Sequence, residues 1–142
     1  MTELGYGLIA CGRISSSHID AIAKTDGARV VALADPDAQK AARARERAGA
    51  EVAVYADYRE LLADSAVDVV VVMVPTQMHP QVTVAALEAG KHVYCEKAMA
   101  ASIGGCREML AARDRTGLLL NVGQSTRYRA PFAMARRLIE RG

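Results

Sequence analysis

The 142-residue chain has no tryptophan, a single phenylalanine (Phe132) and three cysteines. Each scarcity removes a class of structure. With aromatic residues at 4%, the core must be built from Val, Leu, Ile and Ala, which suits a parallel sheet beneath Ala-rich helices. No aromatic residues interleave the basic clusters Arg43-Arg45-Arg47 and Arg136-Arg137-Arg141, so single-stranded nucleic-acid binding has little support. Cys11, Cys95 and Cys106 are odd in number and lack C-x-x-C spacing, which argues against a disulfide framework and against a metal site. Charge of one sign is also missing: the formal net charge is +2, so bulk electrostatics makes no case for a nucleic-acid partner. The longest apolar run, Val69 to Val74, falls far short of the roughly 20 residues that cross a bilayer. Met1-Thr2-Glu3-Leu4-Gly5 has neither a charged n-region nor a long apolar stretch, so no signal peptide is expected. A reduced, cytoplasmic protein without membrane or nucleic-acid partners is the expectation.

What is present is ordinary in amount and ordered in pattern. Hydrophobic residues make up 51% and charged ones 24%, as in soluble globular domains, and the length suits one domain, 1–142. Strand and helix signals alternate from end to end. Apolar runs at Tyr6–Ala10, Arg29–Ala34, Val52–Tyr55, Val67–Val74, His92–Cys95 and Leu118–Val122 predict six strands. Helices are predicted at Ser15–Lys24, Asp37–Ala48, Tyr58–Ala63, Pro80–Glu88, Ser102–Thr116 and Pro131–Arg141. Pro36 and Gly49 bracket the second helix in the expected order, and Asp57 is a plausible cap for the third. Arg43-Arg45-Arg47 and Arg136-Arg137-Arg141 fall at helical spacing and read as solvated faces. Six strands interleaved with helices imply right-handed crossovers. The fold class is therefore α/β, a doubly wound (Rossmann) six-stranded parallel sheet with helices on both faces.

Three places on that scaffold carry chemistry. Tyr6–Ser15 reads Y-G-L-I-A-C-G-R-I-S. Set on the dinucleotide fingerprint G-x-G-x-x-G, the three positions are Ala10, Gly12 and Ser15. Gly12 is where a backbone must approach a pyrophosphate, Ala10 must make the tight turn with a methyl, and Ser15 could cap a helix whose amides attract phosphate. Asp35, at the end of the second strand, is placed to accept hydrogen bonds from adenosine ribose hydroxyls; the plainer alternative is an Asp-Pro turn with Asp35 capping the next helix. A carboxylate there repels a 2′-phosphate, which favours NAD over NADP. The third place is Ala89–Ala100, A-G-K-H-V-Y-C-E-K-A-M-A. A helix closes on Gly90, a buried strand follows, and Glu96-Lys97 stand at its carboxyl end, where open α/β sheets bind ligands. The plainer alternative is a solvated ion pair at a strand end.

Pro75–His79 (P-T-Q-M-H) followed by Ala85–Lys97 (A-A-L-E-A-G-K-H-V-Y-C-E-K) resembles the glucose–fructose oxidoreductase, inositol dehydrogenase and rhizopine-catabolism (Gfo/Idh/MocA) family of nicotinamide-dependent dehydrogenases. The resemblance extends over C-G-R-I-S-S-S-H at Cys11–His18, V-D-V-V-V-V at Val67–Val72 and R-Y-R-A-P at Arg127–Pro131. It implies Gly12, Arg13 and Ile14 at the pyrophosphate and Asp35 at the adenosine ribose. Pro75, Thr76 and His79 would line the approach to the nicotinamide ribose, with Glu96 and the catalytic Lys97 beside the nicotinamide. Taken alone, His79 reads as a helix-start residue satisfied by backbone. Arg127 matches an arginine near cofactor or substrate. Two departures stand out. The family usually reads E-K-P, and Ala98 takes the place of that proline. Family members also continue into a second, mostly antiparallel domain that supplies the substrate pocket, and that domain is not expected here.

The implied chemistry is reversible hydride transfer between NAD (NADP being possible) and a sugar or cyclitol hydroxyl, with little turnover expected of this domain alone. Two other readings stay open: a dinucleotide-sensing module without turnover, and a structural or interaction protein that keeps a relic of the fold.

Overall fold

A computed structural model describes residues 3–142; Met1 and Thr2, which open the stretch read for a signal peptide, lie outside the described residues. Six strands form one all-parallel sheet in the order β3-β2-β1-β4-β5-β6. They are β1 Leu4–Ile9, β2 Ala28–Ala34, β3 Ala53–Tyr55, β4 Val69–Val72, β5 His92–Cys95 and β6 Leu120–Val122. The helices are α1 Ser15–Ala23, α2 Ala38–Ala48, α3 Tyr58–Ala63, α4 His79–Glu88, α5 Ile103–Thr116 and α6 Ala130–Arg141. The strand order reverses direction between β1 and β4, the switch point at which doubly wound sheets open a crevice.

Period-2 alternation sorts the apolar residues onto two faces. Leu8, Leu33 and Val71 point to one face, where Ile19 and Ile22 of α1 and Ala44 of α2 cover them. Ile9, Val70, Val72 and Val93 point to the other, under Leu61 of α3, Val82 and Leu87 of α4, and Met109 of α5. The predicted doubly wound architecture is thus the observed one. Helix α6 contributes no buried residue, and Phe132, Leu138 and Ile139 are exposed along it.

Boundaries differ where hydrogen bonding, not hydrophobicity, ends an element. The apolar run Val67–Val74 pairs as a strand only over Val69–Val72. Beyond it Pro75 opens a short 3-10 turn, Thr76–Met78, that leads directly into α4. Leu118 and Leu119 precede β6 rather than belonging to it. Asp57 does cap α3, its Oδ1 accepting from Arg59 N at 2.9 Å. Helix α4 ends in a Schellman pair, Gly90 N donating to Leu87 O and Lys91 N to Ala86 O, both at 3.0 Å, with Gly90 at φ +81°. That left-handed residue, which only glycine adopts freely, turns the chain straight into β5.

Two of the three thiols sit at strand ends: Cys11 just past β1 and Cys95 at the last position of β5, 6% and 0% exposed. Burial pushes both from 9.0 up to about 11, reinforced at Cys11 by the Asp35 carboxylate and at Cys95 by Glu96. Both thiols stay protonated near neutrality, which disfavours nucleophilic attack there. At pH 8 only about one such thiol in a thousand is ionised. Ellman's reagent should therefore titrate one thiol, Cys106, quickly in the native protein and the other two only on unfolding; two fast thiols would contradict the burial. The folded pKa lies above the unfolded one, so the protonated thiols' contribution to stability is intact below pH 9 and is lost as pH rises towards about 11. Denaturant midpoints should fall across that window.

Candidate functional site

The carboxyl ends of β1, β2 and β4 open on a cleft of about 660 Å³, within the range of small-molecule and cofactor sites. Ala10, Gly12, Asp35 and Pro75 line it together, four positions picked from sequence. Its apolar wall, Ile9, Met73, Val74 and Met78, was not picked. The available signal was the apolar run overshooting β4: residues too hydrophobic for a loop yet beyond the last strand pairing.

The turn after β1 is held at both ends. Ala10 N donates to Ala34 O at 2.8 Å, and Ala10 itself sits at φ +73°, a left-handed conformation that costs an L-residue about 1–2 kcal/mol. Cys11 N then donates to Asp35 Oδ2 at 2.7 Å. The amides of Gly12, Arg13 and Ile14 donate to no acceptor among the described residues. Ser15 does not cap the helix as expected: its hydroxyl donates back to Gly12 O at 2.6 Å, and Ile14 is the capping residue without a side-chain bond. The turn leading into α1 therefore keeps three free amides beside the helix's positive dipole end, while Ser15 N and Ser17 N are bonded to Gly12 O and Ile14 O. A Cβ built on Gly12 would meet no heavy atom within 4 Å, and its φ does not lie in the left-handed region. Nothing inside the protein requires glycine there.

Asp35 is 7% exposed. Its Oδ1 accepts from Asp37 N at 2.8 Å while Oδ2 holds Cys11 N. Asp37, not Asp35, caps α2, accepting from Gln39 N and Lys40 N. Each carboxylate oxygen of Asp35 still has a lone pair for another donor. Two cations share the cleft, and each already has a partner: Lys40 Nζ lies 3.3 Å from Asp37 and Arg59 Nη1 3.0 Å from Asp57. Arg13 lies outside this cleft, in a neighbouring groove of about 710 Å³ between α1 and α2 with Gly12, Lys40 and Arg43. Ile14 is 44% exposed beside it.

The other predicted residues fall at the ends of β4 and β5. Pro75 is exposed and Thr76, half-buried, begins the 3-10 turn. His79 requires a correction. It is 1% exposed, and both ring nitrogens are taken, Nδ1 lying 2.8 Å from Ala98 O and Nε2 2.8 Å from Val74 O. It sits beneath the surface and offers no free polar atom to a ligand. Glu96 and Lys97 do not pair either. Glu96 Oε1 accepts from His18 Nε2 at 2.9 Å and Oε2 from the Lys97 backbone amide at 3.2 Å. The Lys97 side chain is exposed and has no hydrogen bond or ion pair among the described residues. The Lys97–Ala98 peptide bond is cis. Arg127 is exposed in a second 3-10 turn, Ser125–Tyr128, its guanidinium 5.7 Å from the Tyr128 ring, and does not line the cleft. His18, which no sequence argument singled out, lies on α1, three residues past its first residue, and also meets the Tyr94 ring edge-on at 5.4 Å. Among the described residues no cluster of three His, Cys, Asp or Glu could hold a metal, and no helix is long and apolar enough to cross a membrane.

Known proteins share this fold. Residues 4–124 match the family model described as an oxidoreductase family with an NAD-binding Rossmann fold. An inositol 2-dehydrogenase of Salmonella paratyphi B is 33% identical over 141 residues, 98% of this chain and 42% of the relative. One from Klebsiella pneumoniae (strain 342) is 35% identical over 142 residues, again 42% of its length. The chain thus spans well under half of the curated relatives it matches. Among solved structures, the WlbA dehydrogenase of Bordetella pertussis, in complex with NADH and UDP-GlcNAcA, superposes with a TM-score of 0.94 at 31% identity, covering 99% of this chain and 40% of that one. An NAD-binding oxidoreductase from Klebsiella pneumoniae gives 0.89 at 36%, covering 99% and 39%. On the family match alone, which takes in the turn, the acid and the Glu-Lys strand end, the chain belongs to the Gfo/Idh/MocA oxidoreductases and carries their NAD-binding Rossmann fold.

Proposed function

We propose that this chain binds NAD across the cleft and presents Lys97 as one part of a site for hydride transfer to or from a secondary hydroxyl of a sugar or cyclitol. The observation that carries the reading is at Gly12. Glycine stands where neither backbone conformation nor packing asks for it, beside three amides without protein acceptors. A constraint with no internal source is what a phosphate lying on the backbone would impose. The amides of Gly12, Arg13 and Ile14 would hold the pyrophosphate, and the spare lone pairs of Asp35 would take ribose hydroxyls. The apolar wall of Met73, Val74 and Met78 suits a flat base or ring.

When bound, the nicotinamide supplies the hydride chemistry; the protein's task is orientation and proton management. Lys97 suits that task because its neighbour is diverted. With Glu96 committed to His18 and to a backbone amide, the ammonium is free to donate to a substrate oxygen and stabilise charge developing there. Relatives named for inositol and a structure holding UDP-GlcNAcA support a polyhydroxylated substrate. NAD is preferred over NADP, because Asp35 is a buried carboxylate and both nearby cations are neutralised by Asp37 and Asp57.

Isothermal titration should find saturable NAD binding; its absence would sink this reading and the sensing-module reading together, leaving only a relic of the fold. Gly12→Ala adds one carbon where no heavy atom lies within 4 Å, so it should leave the melting temperature nearly unchanged while weakening NAD by about tenfold or more. Equal affinity in the variant would remove the phosphate from Gly12. Asp35→Asn keeps an acceptor for Cys11 N but drops the charge; the preference for NAD over NADP should narrow by about tenfold, and a wild type that binds NADP tighter contradicts the role given to Asp35. Ala10→Gly relieves the left-handed strain and should raise stability by about 1 kcal/mol in urea unfolding, with NAD affinity kept.

A further inference from the structure

The turn that carries Lys97 is gripped from both sides by histidines on different helices. His18, from α1, donates through Nε2 to the Glu96 carboxylate at 2.9 Å. His79, the first residue of α4, holds the Ala98 carbonyl at 2.8 Å through Nδ1 and the Val74 carbonyl at 2.8 Å through Nε2. One grip falls on each neighbour of Lys97 and none on Lys97 itself. A carbonyl only accepts and a neutral imidazole carries one N–H, so the ring donates to one of the two carbonyls at a time and packs against the other, bridging the exit of β4 and the exit of β5. Both histidines sit away from open solvent: His79 is 1% exposed, and the His18 and Glu96 side chains are 18% and 19% exposed.

We infer that His18 and His79 are positioning residues that clamp Glu96-Lys97-Ala98, making the Lys97 turn a fixed part of the site rather than a mobile loop. The two grips differ in chemistry. His18 ties the turn to α1, the helix into which the free amides of Gly12, Arg13 and Ile14 lead, so the two ends of the site share one rigid element. His79 ties it to Val74, a residue of the cleft wall. Residues 96–98 follow the last pairing of β5 with β4, Val72 with Cys95, and Glu96 N donating to Val72 O is the last sheet-type bond before them. Beyond it, side chains must supply the order.

The inference rests on the proposed dinucleotide site, and its test separates the two. Amide hydrogen exchange, measured on this chain without any ligand, reads the clamp directly. His18→Ala and His79→Ala should each speed exchange in residues 96–99 by about tenfold while β1, β2 and β4 exchange as in wild type. His18→Gln, which keeps a donor for Glu96, should restore slow exchange. Binding of NADH and of ADP, which lacks the nicotinamide half, gives the second readout. Either alanine variant should weaken NADH by about tenfold and ADP by less than about twofold. A merely structural role would weaken both alike. Exchange unchanged in both variants, or quickened across the whole sheet, would overturn the clamp. So would a glutamine variant no better than alanine. If His79→Ala does not fold, the His18 pair decides. If wild type binds neither NADH nor ADP, the cofactor reading falls while the exchange result still decides the clamp.

Discussion

The site depends first on one buried carboxylate. Asp35 ends β2 and reaches sideways to the backbone of the neighbouring turn, holding Cys11 N at 2.7 Å, and forward to Asp37 N at 2.8 Å. A hydrogen bond to an ionised acceptor in a buried place is worth more than a neutral one, about 1.5–3 kcal/mol. That bond sets the path of the chain between β1 and α1, which in turn aims the amides of Gly12 to Ile14. It also sets where α2 starts, and α2 covers the same sheet face as α1. Remove the carboxylate and the turn loses its anchor to β2 and Asp37 N loses its acceptor together. Its structural role is to hold the turn and Asp37 N rather than to cap α2, which Asp37 does.

The parallel sheet supplies the second constraint. Every strand of one direction ends on one edge, so the turn after β1, the acid after β2, the proline after β4 and the Glu-Lys pair after β5 are gathered without any long loop. What the sheet does not supply is order beyond its last pairing. On the β1 and β2 side that order comes from Asp35. On the β4 and β5 side it comes from histidines, His79 between two carbonyls and His18 on Glu96. The two halves are built alike: a buried polar side chain from one segment ties down the backbone exit of another.

The sheet, its helices and the edge on which the candidate cleft opens were legible because they rest on periodicity and on residues whose backbone role is local. Alternating apolar runs named the strands, Gly90 marked the launch of β5, and Asp35 declared itself by position after β2. What stayed hidden depends on partners distant in sequence. Glu96 and Lys97 are adjacent and of opposite charge, so pairing between them was the natural expectation, yet Glu96 goes to His18, 78 residues away. His79 matched a motif and was expected to line the approach to the nicotinamide ribose; instead it lies buried between two carbonyls, one of them 19 residues on. The plain reading of that histidine, satisfied by backbone, described its contacts better than the motif did. Strand ends were misjudged for a related reason, since Met73 and Val74 continue the apolar run but wall a cleft instead of pairing.

Ala10 tests whether a departure from the fingerprint means a site that has decayed. At φ +73° it carries about 1–2 kcal/mol of conformational cost that glycine would avoid. Its own amide is bonded to Ala34 O and the next to Asp35. The first bond contributes about 1 kcal/mol and the charged one about 1.5–3, so together they exceed the cost. The conformation is thus imposed from outside the residue, the condition under which strained backbone persists at functional positions. The strain persists where the amides that follow it are kept free, and that is the arrangement an anion site needs. Alanine at this position weakens the economy of the turn and leaves its geometry intact.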